Sequence, residues 1–407
     1  MILHSRIRET MLKNKKIVLG VTGGIAAYKA AELVRELVRG GAEVFVVMTR
    51  SAQAFVTPLT FQTLSGNKVA TDLFSLVEES EIGHISLADR ADVLVIAPAT
   101  ANVIGKIAGG IADDLLTTIV MAMKAPVLLA PAMNVHMWEN PICRENIQKL
   151  SARGYHFIEP ESGELACGYE GKGRLAEIPV IAEEIRTLLA PQDFRGETLL
   201  VTAGPTEEPL DPVRFLSNRS SGKMGFAVAR AARRRGGKVI LVSGPTALAA
   251  PSGVKFIPVR TAVQMREAVL ENLSAASVLV MAAAVSDFRP KGTSPEKIKK
   301  SRAELSLSLE LNPDILSEAG QQKGKRLIVG FAAETESLLA NAQRKLAEKN
   351  LDLIVANDVG LPGAGFAVDT NIVKLIERSG KVEELPLMDK EELAYRILDR
   401  ILLLRSS

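Results

Sequence analysis

Short runs of consecutive aliphatic residues alternate along this chain with segments whose apolar residues recur every three or four positions. KIVLGVTGG (Lys16 to Gly24) is the first run and ends in a glycine pair. Behind it Ala30, Leu33, Val34, Leu37 and Val38 share one face of a predicted helix that Gly40 and Gly41 stop. Further strands are predicted at AEVFVVM (Ala42 to Met48), DVLVIAP (Asp92 to Pro98), PVLLAPAM (Pro126 to Met133) and YHFIEP (Tyr155 to Pro160). A strand with one wet face alternates polar and apolar residues, whereas these runs are apolar throughout, so helices cover both faces of a parallel, doubly wound sheet.

At LAPQDFRGE (Leu189 to Glu197) the helical pattern ends in a proline and a polar cluster, and the rhythm restarts with TLLVTAGPT (Thr198 to Thr206). It continues through KVILVSGPT (from Lys238), VKFIPV (from Val254), SVLVMAAAVSDF (from Ser277), RLIVGFAAET (from Arg326) and LDLIVAND (from Leu351). Asn371 to Leu387 reads as a hairpin turning at Ser379-Gly380, and Lys390 to Leu404 as a closing amphipathic helix. The expected fold class is α/β: two tandem doubly wound, Rossmann-like or flavodoxin-like, parallel-sheet domains spanning residues 1–190 and 191–407. The length of 407 residues, too long for one ordinary core, agrees with that division. In such sheets ligands bind beyond the carboxyl ends of the strands, where the strand order reverses.

Composition removes several function classes. A net charge of +3 gives no electrostatic case for nucleic acid or a membrane surface. The most apolar stretch, Val93 to Met133, is interrupted by Lys106, Asp113, Asp114 and Lys124, short of the ~20 apolar residues a membrane helix needs. The basic N-terminus, MILHSRIRETMLKNKK, lacks the apolar core of a signal peptide. Two cysteines, Cys143 and Cys167, make no disulfide framework, so a reducing, cytoplasmic setting is expected.

In the first half, Thr22, Gly23 and Gly24 expose backbone N–H groups at a helix N-terminus, which suits a phosphate and equally suits a tight strand-to-helix junction. The stretch is not GxGxxG, and apart from Glu43 no acidic residue stands at the spacing for a dinucleotide ribose, which favours a mononucleotide over NAD. PATANVIGK places Thr100 and Asn102 to cap a helix or to bond the edge of a ring; ADDLLTT adds acceptors and hydroxyls; Asn134 reads as a helix cap. Cys167 sits in SGELACGYEGKGRL, a glycine-rich charged segment with no apolar face, where a buried small hydrophobe and a reactive thiol are the alternatives. His136 and His156 are read as structural, Cys143 as core, and Met137 and Trp138 as helix or subunit packing. The four histidines have no metal-ligand spacing.

GGIAAYK, His84, PATAN, PAMN..M and the ACG loop, in that order, resemble the flavin-dependent cysteine decarboxylases. The resemblance implies FMN, its phosphate at Gly23, Gly24, Ile25 and Ala26 with help from Thr49 or Ser51, and its ring against Thr100, Asn102 and the ADDLLTT loop. His84 matches the active-site histidine, Asn134 the residue for the substrate carboxylate with Met133 beside it, and Cys167 the proton donor on a closing flap. A carboxylate β to a thiol has no electron sink; transient oxidation of the thiol to a thioaldehyde creates one, which is the chemistry a flavin supplies. A thiol near its reference pKa of about 8.5 is protonated at neutral pH and can then act as the acid, and Lys172, five residues on, is placed to lower that value.

In the second half FLSNRSSGKMG offers Asn218, Arg219, two serines and Lys223 before an alanine-rich helix; Ser217 stands where a Walker loop needs glycine. AAAVSDFRPKGTSPEKIKKS collects Asp287 with Lys291, Lys297, Lys299 and Lys300, either a solvated face or a partner for phosphates. LNPDIL and GFAAET supply further loop ends.

This half resembles the phosphopantothenate-cysteine ligases, and the tandem resembles the bacterial bifunctional coenzyme A biosynthesis family over nearly the whole chain after Met11. The resemblance implies a CTP site at Asp287, Lys297, Pro313, Asp314, Ile315, Leu316, Phe331, Lys345 and Lys349, with backbone at Ala282 to Ala284 reading the base. It implies that 4′-phosphopantothenate attacks CTP, assisted by Mg²⁺ and Lys297, to give an acyl-cytidylate held by Asn218, which cysteine then converts to the amide with release of CMP. Trimers of the first half and dimers of the second imply a dodecamer. Two other classes, an NAD-linked oxidoreductase and a flavin-binding regulatory subunit, are disfavoured by the first glycine turn and by the presence of the Cys167 flap respectively.

Overall fold

A computed structural model describes residues 12–73, 84–164, 168–299, 306–334, 338–358 and 368–406. The chain divides into two compact units, Met1–Ala190 and Pro191–Ser407.

In the first unit, β1 (Lys16–Val21), β2 (Glu43–Met48), β3 (Val93–Ala99), β4 (Val127–Pro131) and β5 (His156–Phe157) form a parallel sheet in the order β2-β1-β3-β4-β5. The helices are α1 (Ala27–Arg39), α2 (Pro58–Ser65), α3 (His84–Arg90), α4 (Ala101–Gly109), α5 (Leu115–Ala122), α6 (Val135–Glu139), α7 (Pro141–Ser151) and α8 (Ile178–Leu189). Alternate strand residues bury on opposite faces: Ile17, Leu19 and Val21 pack with α1 and α8, while Val18, Leu94 and Ile96 pack with α4, α5 and α7. Each fully buried Ile, Leu or Val contributes roughly 1.5–3 kcal/mol. That packing, through Ala27, Ala30, Leu33, Val34 and Leu37, holds α1 although no side chain caps its N-terminus.

Helix α5 has the opposite arrangement. Asp114 caps it, accepting from the Thr117 amide at 2.8 Å, while the Thr117 hydroxyl accepts from the Asp114 amide at 3.3 Å. Burial raises the Asp114 carboxyl, the largest single effect, but hydrogen bonds from Thr117 and the charge of Lys106 outweigh it, and the group titrates below its ordinary 3.8.

Beyond β5 the chain forms a two-stranded antiparallel ribbon, β6 (Glu161–Glu164) with β7 (Glu170–Arg174), where the sequence pattern predicts a loop. In the short link between these strands residues 165–167, Cys167 among them, lie outside the described residues.

In the second unit the strands are β8 (Thr198–Ala203), β9 (Glu207–Pro209), β10 (Phe215–Ser217), β11 (Lys238–Ser243), β12 (Lys255–Pro258), β13 (Val278–Met281), β14 (Phe288–Pro290), β15 (Leu309–Leu311), β16 (Leu327–Glu334), β17 (Leu353–Asp358), β18 (Thr370–Glu377) and β19 (Val382–Asp389). The helices are α9 (Lys223–Arg234), α10 (Ala262–Leu273), α11 (Ile315–Gln321), α12 (Leu338–Glu348) and α13 (Lys390–Ser406). The main sheet runs β12-β11-β8-β13-β16-β17-β18-β19. Its first six strands are parallel, and the expected hairpin joins its edge as antiparallel β18 and β19. The sheet is therefore mixed; an antiparallel edge of this kind is common on doubly wound sheets. Two ribbons, β9 with β10 and β14 with β15, stand outside the main sheet.

Helix α9 crosses β8 at a distance that glycine alone permits: a Cβ on Gly225 would lie 2.6 Å from both the Thr202 carbonyl and the Ala203 side chain. No helix among the described residues is long and apolar enough to cross a membrane.

Two stability measurements follow from these contacts. Gly225→Ala overpacks the α9–β8 contact and is expected to lower stability by about 1–3 kcal/mol in urea denaturation followed by circular dichroism. Asp114→Asn keeps the cap but loses the charge, so it is less stable than wild type at neutral pH. Because the folded carboxyl titrates below 3.8, its contribution is present above that pH and is lost as pH falls through the folded value. The gap in melting temperature should therefore close below about pH 3.8; a gap that stays constant contradicts the assignment.

Candidate active site

A cavity of about 1130 Å³ opens at the carboxyl ends of β1, β2, β3 and β4. Gly23, Gly24, Ile25 and Ala26 line it from the β1–α1 turn, Thr49 and Ser51 from the end of β2, Thr100 and Asn102 from the end of β3, and Asn134 from the end of β4. These residues, singled out in the sequence for a flavin, thus line one cavity together with the candidate for the substrate carboxylate; of the ADDLLTT loop, Asp113 and Asp114 reach it.

Three constraints shape the wall. Thr22 is fully buried; its hydroxyl donates to the Pro98 carbonyl at 2.7 Å and accepts from the Thr100 amide at 3.1 Å, which ties the first and third strand ends together. A Cβ on Gly23 would lie 2.3 Å from Ser51 Cβ, so the β1 turn meets the β2 loop only because residue 23 is glycine. The uncapped N-terminus of α1, with no acidic residue in its first turn, presents N–H groups and a partial positive charge to the cavity. A cradle with these properties fits the phosphate of a mononucleotide.

Thr100 and Asn134 both cap helices. Thr100 Oγ1 accepts from the Val103 amide at 3.5 Å, and Asn134 Oδ1 from the His136 amide at 2.9 Å. On the floor Lys106 Nζ reaches Asp113 at 2.7 Å and Asp114 at 3.1 Å, and its hydrogen bond to Asp113 leads the effects that raise its pKa.

The β6–β7 ribbon closes one side, contributing Glu164, Gly173 and Arg174. The Gly173 carbonyl accepts from the Met133 amide at 2.9 Å, and a Cβ at residue 173 would fall 2.2 Å from the Met133 carbonyl oxygen. Gly173 thus serves close packing against Met133, and Gly171 against Val135, as much as chain flexibility. Lys172, expected beside Cys167, pairs with Glu159 and stands 5.9 Å over the Trp138 ring. His136 meets Tyr169 edge to face at 5.3 Å, in keeping with a structural role. Cys143 is buried on α7, its thiol raised by burial. Met137, read from the sequence as packing, lines the cavity instead. The backbone of His84 opens α3; its side chain, like Cys167, lies outside the described residues.

In the second unit the nucleotide candidates also gather at strand ends. Asn218 Nδ2 donates to the Val285 carbonyl at 3.0 Å, fixing the residue after β10 to the segment after β13. The Asp287 carbonyl accepts from the Asn312 amide at 2.8 Å, one residue before Pro313. Asp314 caps α11, accepting from the Ser317 amide at 3.0 Å, and pairs with Lys349 at 2.9 Å. Next to exposed Lys297, the Ile298 amide donates to Asp211 at 3.1 Å. Burial raises the Asp211 carboxyl, but the amides of Val213, Ile298 and Arg214 outweigh it and leave the group below its ordinary value. Ile315 is buried in the core and Leu316 packs against it, so of this loop Asp314 is the exposed polar member. Phe331 packs against the core from within β16, and Lys345 lies on α12. A smaller cavity of about 480 Å³, beside Thr246, Phe256 and Arg260, includes none of these candidates. Among the described residues no group of three or more His, Cys, Asp or Glu is placed to hold a metal ion.

Sequence reasoning named Thr22 for its place in the glycine turn and not for its hydroxyl, and it missed Lys106 and Arg174 as cavity residues. Thr22 carried a signal, a polar residue closing an apolar strand immediately before the glycine pair; the other two needed the fold.

Comparison with known proteins agrees with both halves. The Flavoprotein family profile matches residues 5–190, and that of the DNA/pantothenate metabolism flavoprotein C-terminal domain matches residues 194–404. A coenzyme A biosynthesis bifunctional protein CoaBC of Bacillus subtilis is 51% identical over 395 residues, covering 96% of this chain and 97% of that protein. The protein of the same name from Vibrio cholerae is 46% identical over 393 residues, covering 96% and 98%. A solved structure of the C-terminal domain of such a protein is 42% identical, covers 53% of this chain and 98% of that domain, and has a TM-score of 0.46. With both profiles in tandem and about half of all positions shared across 96% of its length, the chain belongs to the bifunctional coenzyme A biosynthesis proteins.

Proposed function

We propose that residues 191–407 join cysteine to 4′-phosphopantothenate at the cost of CTP, and that residues 1–190 decarboxylate the resulting 4′-phosphopantothenoylcysteine to 4′-phosphopantetheine with FMN. The observation that carries this reading is the single cavity wall made by Gly23, Gly24, Ile25, Ala26, Thr49, Ser51, Thr100 and Asn102.

The α1 N-terminus, Gly23 and Ser51 would hold the FMN phosphate, and Thr100 and Asn102 would meet its ring. When bound, the flavin supplies reversible removal of a hydride equivalent from the cysteinyl thiol, which gives the departing carboxylate an electron sink. Asn134, with Oδ1 held by the His136 amide, offers its Nδ2 to the substrate carboxylate and orients it for loss as carbon dioxide. Met137 and the ribbon limit water at the reacting carbons. His84 takes or positions a proton. Cys167 delivers the proton that completes the product, and Lys172 has Glu159 as counter-charge.

In the ligase unit, Asn218 braces the strand end at which Ala282 to Ala284 would read the cytosine, and it holds the acyl-cytidylate. Lys297 assists formation of that intermediate. Asp287, Pro313 to Leu316, Phe331, Lys345 and Lys349 surround the nucleotide, and Mg²⁺ enters with the triphosphate. A homo-oligomer, a dodecamer built from trimers and dimers, belongs to the same proposal; the exposure of Phe215, Phe288 and Leu311 on the ribbons of the second unit supports such a contact. A cytoplasmic setting belongs to it as well.

The test is incubation of the purified protein with 4′-phosphopantothenate, cysteine and either CTP or ATP, followed by mass analysis. The expected product is 4′-phosphopantetheine, with CTP only. Cys167→Ser is expected to release carbon dioxide and stop at the unreduced ene-thiol; normal reduced product from that variant contradicts the role given to the thiol.

A further inference from the structure

One ligand of drug size occupies a pocket of roughly 300–1,000 Å³. At about 1130 Å³ the first cavity lies above that range. Its lining charges indicate what a substrate would carry there. Lys106 is answered by Asp113 and Asp114. Lys29, Arg50 and Arg174 remain, against Glu164. Arg50 adjoins Ser51 at the end of the cavity assigned to the flavin phosphate, whereas Arg174 stands on the ribbon wall.

The setting of Arg174 is more constrained than a surface arginine requires. The residue before it, Gly173, is bonded to Met133. Its guanidinium donates through Nη2 to Glu177 Oε1 at 2.7 Å, and the same oxygen lies 3.8 Å from Lys29 Nζ. Glu177 is itself steadied, since its amide donates to Glu161 at 3.2 Å. Two cations thus share the Glu177 carboxylate at the cavity lip. Arg174 and Glu177 are both about half exposed, with side-chain exposures of 45% and 47%. Such a pair contributes little to stability. Among the described residues the other N–H groups of the guanidinium have no hydrogen-bond partner, and that planar fork matches two phosphate oxygens. Glu164 lies at the opposite end of the ribbon, opposite Glu170, while Arg174 is opposite Glu161; three residues along a strand separate the two ends, roughly 10 Å.

We propose that Arg174, oriented by Glu177 and backed by Lys29, receives the 4′-phosphate of the decarboxylase substrate and thereby selects phosphorylated over unphosphorylated pantothenoylcysteine. The inference rests on the decarboxylase reading above. The substrate station on the ribbon lip adjoins the cofactor station at the α1 turn, since Lys29 stands on α1. On this proposal the loss of Arg174 appears in KM and leaves kcat and flavin content in place.

The experiment compares steady-state decarboxylation of 4′-phosphopantothenoylcysteine and of pantothenoylcysteine by wild type, Arg174→Gln, Arg174→Lys and Glu177→Gln, with bound flavin measured by absorbance. Wild type should favour the phosphorylated compound. Arg174→Gln should lose roughly 10- to 100-fold in kcat/KM on that compound through KM, the range of a charge-assisted contact. It should act on the unphosphorylated compound as wild type does and keep its flavin. Arg174→Lys should recover part of the preference, and Glu177→Gln should lose part of it. A preference retained in Arg174→Gln, or an equal loss on both compounds, overturns the inference while leaving the decarboxylase intact. Wild type that decarboxylates neither compound overturns the reading beneath it.

Discussion

The hydroxyl of Thr22, buried beneath the first glycine turn, donates to Pro98 and accepts from Thr100. It joins the ends of β1 and β3, the two neighbours between which the strand order β2-β1-β3 reverses. At such a reversal the loops leave in opposite directions and open a crevice, so a bond that fixes their separation fixes the width of the site. Gly23 sets the other dimension by admitting Ser51 to within contact of the turn. The α1 N-terminus borders a cavity whose walls are already spaced, which is the pre-organisation an anion site needs.

The second unit uses the same device. Thr202, at the end of β8, is buried and accepts from the Ala283 amide at 3.1 Å, joining β8 to the loop after β13 at the reversal in β11-β8-β13. Thr206 repeats the bond to Ser286 at 3.0 Å. Two sheets of different size thus place a threonine on the first strand of the unit where the neighbouring loop departs. A hydroxyl suits this position because one group both donates and accepts, satisfying backbone atoms that a loop departing from the sheet leaves unpaired.

The strands were legible because both faces are covered, which makes runs such as Val93 to Ala97 apolar at every position. The glycine turn, the cap at Thr100 and the cap at Asn134 were legible because their chemistry is local. The three ribbons were not. Glu161–Glu164 and Glu170–Arg174 carry no apolar face, and their pairing depends on glycines that permit close approach to Met133, a contact distant in sequence. Lys172 looked like a neighbour of Cys167 because the two are five residues apart, yet its charge is countered by Glu159 and covered by Trp138, from segments the spacing does not reveal. Met137 read as packing because a methionine beside a tryptophan ordinarily packs; its place in the cavity follows from the short helix that Asn134 caps.

The central claim is that the clamp at Thr22 builds the flavin site. Thr22→Val keeps the shape and removes the hydroxyl, leaving the Pro98 carbonyl and the Thr100 amide without their partner at a cost of about 1–3 kcal/mol each. The decisive measurement is the dissociation constant for FMN of the flavin-free wild type and of Thr22→Val, taken by fluorescence titration beside far-UV circular dichroism. The account predicts an unchanged spectrum and affinity weaker by roughly 10- to 100-fold. An unchanged fold with unchanged affinity would contradict it.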